Sequence, residues 1–243
     1  MKNEHVPTAF RVLVFLLLGA APPVASATEC VILLHGLART ANSMSVMAEA
    51  LQAAGYHVAN IDYPSRHYPV SRLASPAIEA GLSECSAAES RTVHFVTHSM
   101  GGILVRYHLR NHRIGNLGRV VMLAPPNQGS EVVDNLRDSP GFALVNGPAG
   151  LQLGTGADGL PASLGPVDFP VGVIAGTESV NPLLSQFLPN PDDGKVSVER
   201  TKVEGMADFV AIAATHTFIM RNDEAIRHTL AFLANGAFAH ESH

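Results

Sequence analysis

Short apolar runs recur along the chain and alternate with more polar stretches. The run at 31–34 is apolar at every position and ends at a histidine and a glycine. A continuous run of this kind is typical of a strand buried on both faces of a sheet. Further runs predict strands over 56–61, 92–97, 119–124, 171–175 and 209–213.

The segments between these strands carry helix signals. Apolar residues repeat at helical spacing within 42–54, and a glycine follows as a natural stop. Ser75-Pro76 can start a short helix, because serine caps well and proline is tolerated in the first turn. The pattern predicts another helix over 101–112.

A final helix is predicted near the end of the chain. Asn222 is a good N-cap, two acidic residues follow it where the helix dipole favours negative charge, and Gly236 ends the helix. Strands that alternate with helices predict the α/β class, with a mostly parallel central sheet and helices on both faces.

The segment 127–170 interrupts this alternation. It is rich in glycine and proline and is too long for a simple connection. Two interpretations stay open: a small cap or lid that folds over the top of the sheet, or an irregular surface excursion with a helical turn or two.

The N-terminal pattern is that of a secretory signal peptide. A weakly positive start precedes ten apolar residues at 12–21, and two prolines and an Ala-Ser-Ala sequence at 25–27 follow. Ten residues are too few for a membrane-spanning helix, which needs about 20. We predict cleavage after Ala27 and export to the periplasm or the medium. A buried N-terminal strand and an uncleaved anchor are the alternatives.

Composition narrows the class of protein. Of the 243 residues, 47% are hydrophobic and 15% are charged, so the chain can bury a sizeable core and is not typical of a disordered protein. The formal net charge is -5 and no run of Lys or Arg is present, which argues against nucleic-acid binding through a basic face. After the predicted signal, no apolar run is long enough to span a membrane.

The two cysteines, Cys30 and Cys85, both follow the predicted signal peptide. An exported chain meets an oxidising compartment, so we predict a disulfide between them. Two buried free thiols are the alternative.

The strongest chemical signal is the sequence THSMGG at 97–102, which lies at a predicted strand end and opens a predicted helix. This is the context of a nucleophile elbow, a sharp turn that presents a serine at a helix N-terminus. Residues two positions away on either side of the serine must be small, and Gly101 meets that need. Ser99 is therefore the predicted nucleophile.

A serine nucleophile needs a histidine base that a third group orients. Of the 12 histidines, His216 is the one that lies late in the chain between a predicted strand and the last helix. For the acid we predict Asp193, just before a glycine turn. Asp192 and Glu178 are the alternatives, and Asp208 is a further candidate.

Two backbone amides are predicted to form an oxyanion hole. One belongs to Met100, the residue after the nucleophile, and the other to Leu37 in the loop after the first strand. Gly36 lets the backbone turn so that the Leu37 amide points into the site.

These motifs together resemble the bacterial lipases and esterases of the α/β-hydrolase superfamily. The resemblance rests on five features in order: LLHGL at 33–37, HSMGG at 98–102, APPNQGS at 124–130, DGKV at 193–196, and His216. It covers essentially the whole mature chain and implies one α/β-hydrolase domain over 28–243. Thr97 departs from the pattern, because the family usually has glycine there and some lipases have alanine.

The resemblance implies a serine hydrolase of carboxylic esters that acts on a lipid or other small-molecule ester. An acyltransferase, thioesterase or amidase could use the same residues, and a binding protein that kept the fold is an alternative of another class. No cofactor is predicted: the G-x-G-x-x-G match at 154–159 lacks the strand–helix context of a dinucleotide site, and the pair His108 and His112 lacks a third metal ligand.

Overall fold

The computed structural model describes residues 29–157 and 159–240, so the predicted signal peptide at 1–27 lies outside the described residues. Six parallel strands form one sheet in the order β2-β1-β3-β4-β5-β6. Their bounds match the predicted runs closely: β1 Glu29–Leu34, β2 His57–Ile61, β3 Thr92–His98, β4 Leu117–Leu123, β5 Val171–Gly176 and β6 Asp208–Ile212. The α/β class is confirmed.

Nine α-helices and two short 3-10 helices connect the strands within the described residues. The α-helices are α1 Ser45–Ala53, α2 Val70–Ala87, α3 Met100–Asn111, α4 Glu131–Leu136, α5 Phe142–Leu151, α6 Leu160–Ser163, α7 Pro182–Ser185, α8 Val198–Thr201 and α9 Asp223–Asn235. The 3-10 helices are Ala41–Met44 and Ile219–Arg221.

The sheet is buried on both faces because helices cover each of them. Along β1, Ile32 and Leu34 pack into one apolar cluster with residues of α2 and α3. Val31 and Leu33 point the other way and pack with residues of α1 and α9. This alternation is the period of a strand, and it explains why an entirely apolar run forms β1.

The last helix has the predicted caps. The Asn222 side chain accepts hydrogen bonds from the amides of Glu224 and Ala225, and Gly236 ends the helix with a φ of 79°. A left-handed φ at this position is the usual reason for glycine after a helix.

The predicted start of the second helix at Ser75-Pro76 is wrong, because α2 begins at Val70 and holds Pro76 in its interior. The amide of Val70 donates to Oε1 of Gln152 at 2.8 Å, a contact with a residue 82 positions away. This cap comes from tertiary packing, so the local sequence does not reveal it.

The segment 127–170 contains three short helical elements, α4 to α6, and α5 is kinked at Gly147. The buried guanidinium of Arg106 on α3 donates to the carbonyl oxygens of Asn127, at 2.8 Å, and of Gly165, at 2.6 Å. Burial lowers the pKa of Arg106 to about 10. One side chain therefore ties both ends of the segment to the helix that follows the nucleophile turn.

The predicted disulfide between Cys30 and Cys85 is present and joins β1 to α2. We expect a variant with both cysteines replaced by alanine to lose roughly 4 kcal/mol of unfolding free energy, because the unfolded chain gains loop entropy. Denaturant unfolding monitored by circular dichroism measures this loss. Wild-type protein unfolded under reducing conditions is the control, and equal stability of the oxidised wild type and the variant would contradict the expectation.

Candidate active site

Ser99 occupies the sharp turn between β3 and α3. Its backbone has φ 52° and ψ -120°, a conformation that a residue with a side chain rarely adopts. A Cβ atom on Gly101 would lie 2.6 Å from the carbonyl oxygen of Leu34, so this position requires glycine. The geometry is that of the predicted nucleophile elbow.

Thr97, the departure from the usual motif, is fully buried at the end of β3. A Cβ atom on Gly102 would lie 3.3 Å from the Thr97 hydroxyl oxygen. The second glycine of the HSMGG sequence therefore leaves room for the larger residue at 97, and the turn keeps its shape.

Ser99, His216 and Asp193 form a continuous hydrogen-bonded chain. The Ser99 hydroxyl and Nε2 of His216 are 3.0 Å apart, and Nδ1 of His216 lies 2.7 Å from Oδ2 of Asp193. Asp193 is 1% exposed, and its other oxygen, Oδ1, accepts from the amides of Lys195 and Val196 at 2.9 and 2.8 Å. The carboxylate thus has partners on both oxygens and holds the imidazole in one orientation.

The other acids considered from the sequence lie elsewhere. Asp192 accepts through Oδ1 from the Ser185 hydroxyl and the Gly194 amide. Asp208 lies at the amino end of β6, whereas His216 follows the carboxyl end, and Asp208 pairs with His240. Glu178 is exposed after β5. The structure therefore brings only Asp193, among the acids predicted from the sequence, to His216.

The predicted oxyanion residues flank the serine. Leu37 lines the same cavity as Ser99, and Met100 is the first residue of α3, where a backbone amide has no acceptor within the helix. A Cβ atom on Gly36 would lie 2.7 Å from Nδ1 of His98, so only glycine allows the turn to pass so close. The role of the two amides stays a prediction.

A histidine and a tyrosine hold the loop that follows β1 and carries Gly36 and Leu37. The rings of His35 and Tyr63 stack with centroids 4.0 Å apart, and the Tyr63 hydroxyl donates to the carbonyl oxygen of His35. Nδ1 of His35 donates to the carbonyl oxygen of Gly36 at 2.9 Å. Tyr63 was not among the residues singled out from the sequence, because its contact comes from the strand pairing of β1 and β2.

His98, which precedes the nucleophile, has a structural role. Its Nε2 donates to the carbonyl oxygen of His216 at 2.9 Å, and its buried ring lies against Gly36 and, with centroids 5.0 Å apart, beside the His216 ring. Burial holds the pKa of His98 well below its usual value, and the nearby His216 lowers this pKa further. His98 therefore stays neutral and fixes the backbone that carries the base.

We expect the free energy of unfolding to fall as the pH is lowered below about 6.5. The unfolded chain binds a proton at His98 near that pH, whereas the folded chain does not, so protonation favours unfolding. The slope is at most about 1.4 kcal/mol per pH unit for one histidine. Urea titrations at several pH values measure it.

The matched variant for this experiment is His98→Gln, whose amide nitrogen can still donate to His216. We expect a shallower fall in unfolding free energy with decreasing pH in the variant. Identical slopes in the two proteins would contradict the assignment of this proton uptake to His98.

A cavity of about 270 Å³ opens beside Ser99 and His216. One wall is apolar and comes from 127–170; its side chains are Val132, Val133, Leu136, Phe142, Val145 and Leu153. Two basic residues, Arg39 and Lys195, also line the cavity and were not singled out from the sequence. An isolated basic residue in a loop gives no sequence signal of its position.

A family model described as the alpha/beta hydrolase family matches residues 31–236. The chain belongs to the alpha/beta hydrolase family. The resemblance to lipases and esterases of this superfamily is therefore confirmed at the level of the family. None of the curated proteins compared by sequence matches this chain.

Solved structures of lipases share this hydrolase fold. The mature form of Bacillus licheniformis lipase BlEst2 has a TM-score of 0.69 and 20% identity, with 90% of this chain and 94% of that chain covered. Phospholipase PlaB from Legionella pneumophila, in complex with thio-NAD, has a TM-score of 0.64 and 19% identity, with 84% of this chain and 56% of that chain covered. Aspergillus fumigatus lipase B has a TM-score of 0.61 and 16% identity, with 89% of this chain and 56% of that chain covered. At these identities the likeness establishes the fold.

No helix in the described part of the chain combines the length and the hydropathy that a bilayer-spanning segment needs.

Proposed function

We propose that this hydrolase cleaves carboxylic esters through an acyl-enzyme on Ser99. The observation that carries the proposal is the hydrogen-bonded chain of Ser99, His216 and Asp193 at the carboxyl end of a parallel sheet, beside an apolar cavity. Burial of all three side chains strengthens their electrostatic interactions, because little water competes for them.

In the first half of the reaction, His216 takes the Ser99 proton as the hydroxyl oxygen attacks the ester carbonyl. The amides of Leu37 and Met100 stabilise the negative oxygen of the tetrahedral intermediate. The bond to the alcohol oxygen then breaks, and His216 gives its proton to the departing alcohol. Asp193 stabilises the imidazolium throughout.

In the second half, His216 removes a proton from water, and the resulting hydroxide attacks the acyl-enzyme carbonyl. Collapse of this intermediate releases the carboxylic acid and returns the proton to Ser99. The sum is one ester and one water converted to one acid and one alcohol, and no cofactor enters the scheme.

For the substrate we propose an ester with an apolar acyl chain. The six apolar side chains that 127–170 contributes to the cavity support this proposal, and we propose that the segment acts as a cap over the acyl chain. The lipases and the phospholipase among the structural neighbours support it as well. An acyltransferase, thioesterase or amidase would need the same three residues and differs only in acceptor or leaving group.

Two measurements test the proposed function. A fluorophosphonate probe is expected to label the folded protein at Ser99, located by mass spectrometry of peptides, and heat-denatured protein is the control. Hydrolysis of p-nitrophenyl esters from acetate to palmitate then tests the acyl preference. Labelling without turnover of any ester would point to an amide, thioester or transfer reaction, and absence of labelling in the folded protein would point to a binding protein.

We also propose that the protein is exported and cleaved after Ala27. The disulfide supports this, because structural disulfides persist in oxidising compartments. The intact mass of protein recovered from the periplasm or the medium gives the mature N-terminus. A full-length mass with the protein retained in the cytoplasm would contradict export.

A further inference from the structure

The cavity beside Ser99 has two unequal sides. The apolar side comes from 127–170, and the other carries the basic residues Arg39 and Lys195. Among the described residues that line this cavity, none is acidic. Neither basic side chain forms an ion pair or a hydrogen bond with a described residue. Two positive charges thus face the cavity without an ion-pair partner, in a protein whose net charge is -5. The carboxylate that acts electrostatically on Lys195 is the buried Asp193, which is hydrogen-bonded to His216.

The two basic side chains are close enough to affect each other. Desolvation lowers the pKa of Lys195 and the positive charge of Arg39 lowers it further, whereas the negative charge of Asp193 raises it. By surface area Lys195 is exposed. Both positive charges also act on buried His98. An anion that binds between the two side chains is attracted by both charges, so the attraction exceeds what either charge would provide alone.

The backbone fixes which end of an ester these charges would meet. The Lys195 amide donates to Oδ1 of Asp193, whose other oxygen binds His216, so Lys195 lies on the histidine side of the serine. In ester cleavage the histidine delivers its proton to the departing alcohol. Lys195 therefore lies toward the alcohol part of the substrate, and the apolar side of the cavity is left for the acyl chain.

We propose that Arg39 and Lys195 form an anion-binding rim that selects esters whose alcohol part carries a phosphate group. This proposal rests on the proposed ester hydrolysis and names its substrate class. A phosphate monoester carries about -1.5 to -2 charges at neutral pH, which two cations match better than they match a single carboxylate. The guanidinium can donate two parallel hydrogen bonds to phosphate, and the ammonium adds a point charge.

The test compares three hexanoyl esters that are monomeric in solution: the monoesters of glycerol, of glycerol phosphate and of glyceric acid. The first pair differs only by the phosphate, and the third carries a carboxylate instead. Release of hexanoate is measured for the wild type, Arg39→Gln, Lys195→Gln and the double variant. Lys195 forms its hydrogen bonds to Asp193 and Ser130 through backbone atoms, so Lys195→Gln keeps those bonds.

For the wild type we expect kcat/KM to be highest for the phosphate ester, and this preference to shrink as salt is added. The ratio of kcat/KM for the phosphate ester to that for the neutral ester is expected to fall by about tenfold or more in each single variant. Arg113→Gln is the matched control: Arg113 is exposed, pairs with Asp168 and lines a different cavity, so the ratio should not change.

The outcomes separate this proposal from the function on which it rests. Hydrolysis of the neutral ester with no preference for phosphate, or a ratio unchanged in the double variant, overturns the anion-binding rim and leaves ester hydrolysis standing. A higher kcat/KM for the carboxylate ester overturns the assignment to phosphate. No hydrolysis of any of the three esters, with no fluorophosphonate labelling, overturns the proposed function and the rim with it.

Discussion

Replacing Ser99 with alanine is expected to lower kcat for ester hydrolysis by about six orders of magnitude, as removal of a serine nucleophile does in other enzymes. The variant keeps the cavity and the oxyanion amides but has no oxygen to form an acyl-enzyme. Initial rates with a p-nitrophenyl ester measure the change, with enzyme concentrations high enough to detect the residual rate. Labelling by a fluorophosphonate should vanish in the same variant.

Two controls make this result specific. Ser83→Ala alters an exposed serine on α2, and we expect it to retain wild-type activity. A variant with both Ser99→Ala and His216→Ala should be no slower than Ser99→Ala alone, because residues that act as a unit are not additive. Substantial ester turnover in Ser99→Ala at wild-type stability would contradict the role of Ser99.

The strands and the nucleophile turn could be predicted because their signals are local. The run at 31–34 is apolar on both faces, so it forms a strand only where helices cover both faces, as they do at β1. The turn at Ser99 depends on Gly101, which the sequence displays directly and which the backbone of Leu34 requires. Asn222 and Gly236 similarly act on residues within a few positions of themselves.

What the sequence did not reveal depends on contacts between distant positions. The start of α2 is capped by Gln152, and the loop that follows β1 is supported by Tyr63. Arg39 and Lys195 follow β1 and the Asp193 turn in loops more than 150 positions apart, and only the parallel sheet brings both loops to one cavity. No local sequence pattern predicts that two such distant loops line the same cavity. The sequence could narrow the acid to a few candidates, and the hydrogen bond to His216 distinguishes Asp193 from them.

The second large effect is expected for Asp193→Asn, which should lower kcat by about four orders of magnitude. The two oxygens of the Asp193 carboxylate have different hydrogen-bond partners, and this explains the expected loss. Oδ1 accepts from the amides of Lys195 and Val196, so the carbonyl oxygen of an asparagine must stay there. Its amide nitrogen then faces Nδ1 of His216 and donates to it. This moves the imidazole proton to Nε2, the atom that must accept the proton of Ser99.

The neighbouring Asp192→Asn is the matched control for this substitution. Asp192 accepts from Ser185 and Gly194 through the same oxygen, and asparagine can keep both hydrogen bonds while Asp193 still orients His216. We therefore expect kcat close to that of the wild type. Nitrogen NMR of His216 provides an independent measurement: the proton should lie on Nδ1 in the wild type and in Asp192→Asn, and on Nε2 in Asp193→Asn. An Asp193→Asn enzyme with wild-type kcat and the proton on Nδ1 would show that the asparagine can reverse its amide, and that the two backbone donors do not control the tautomer.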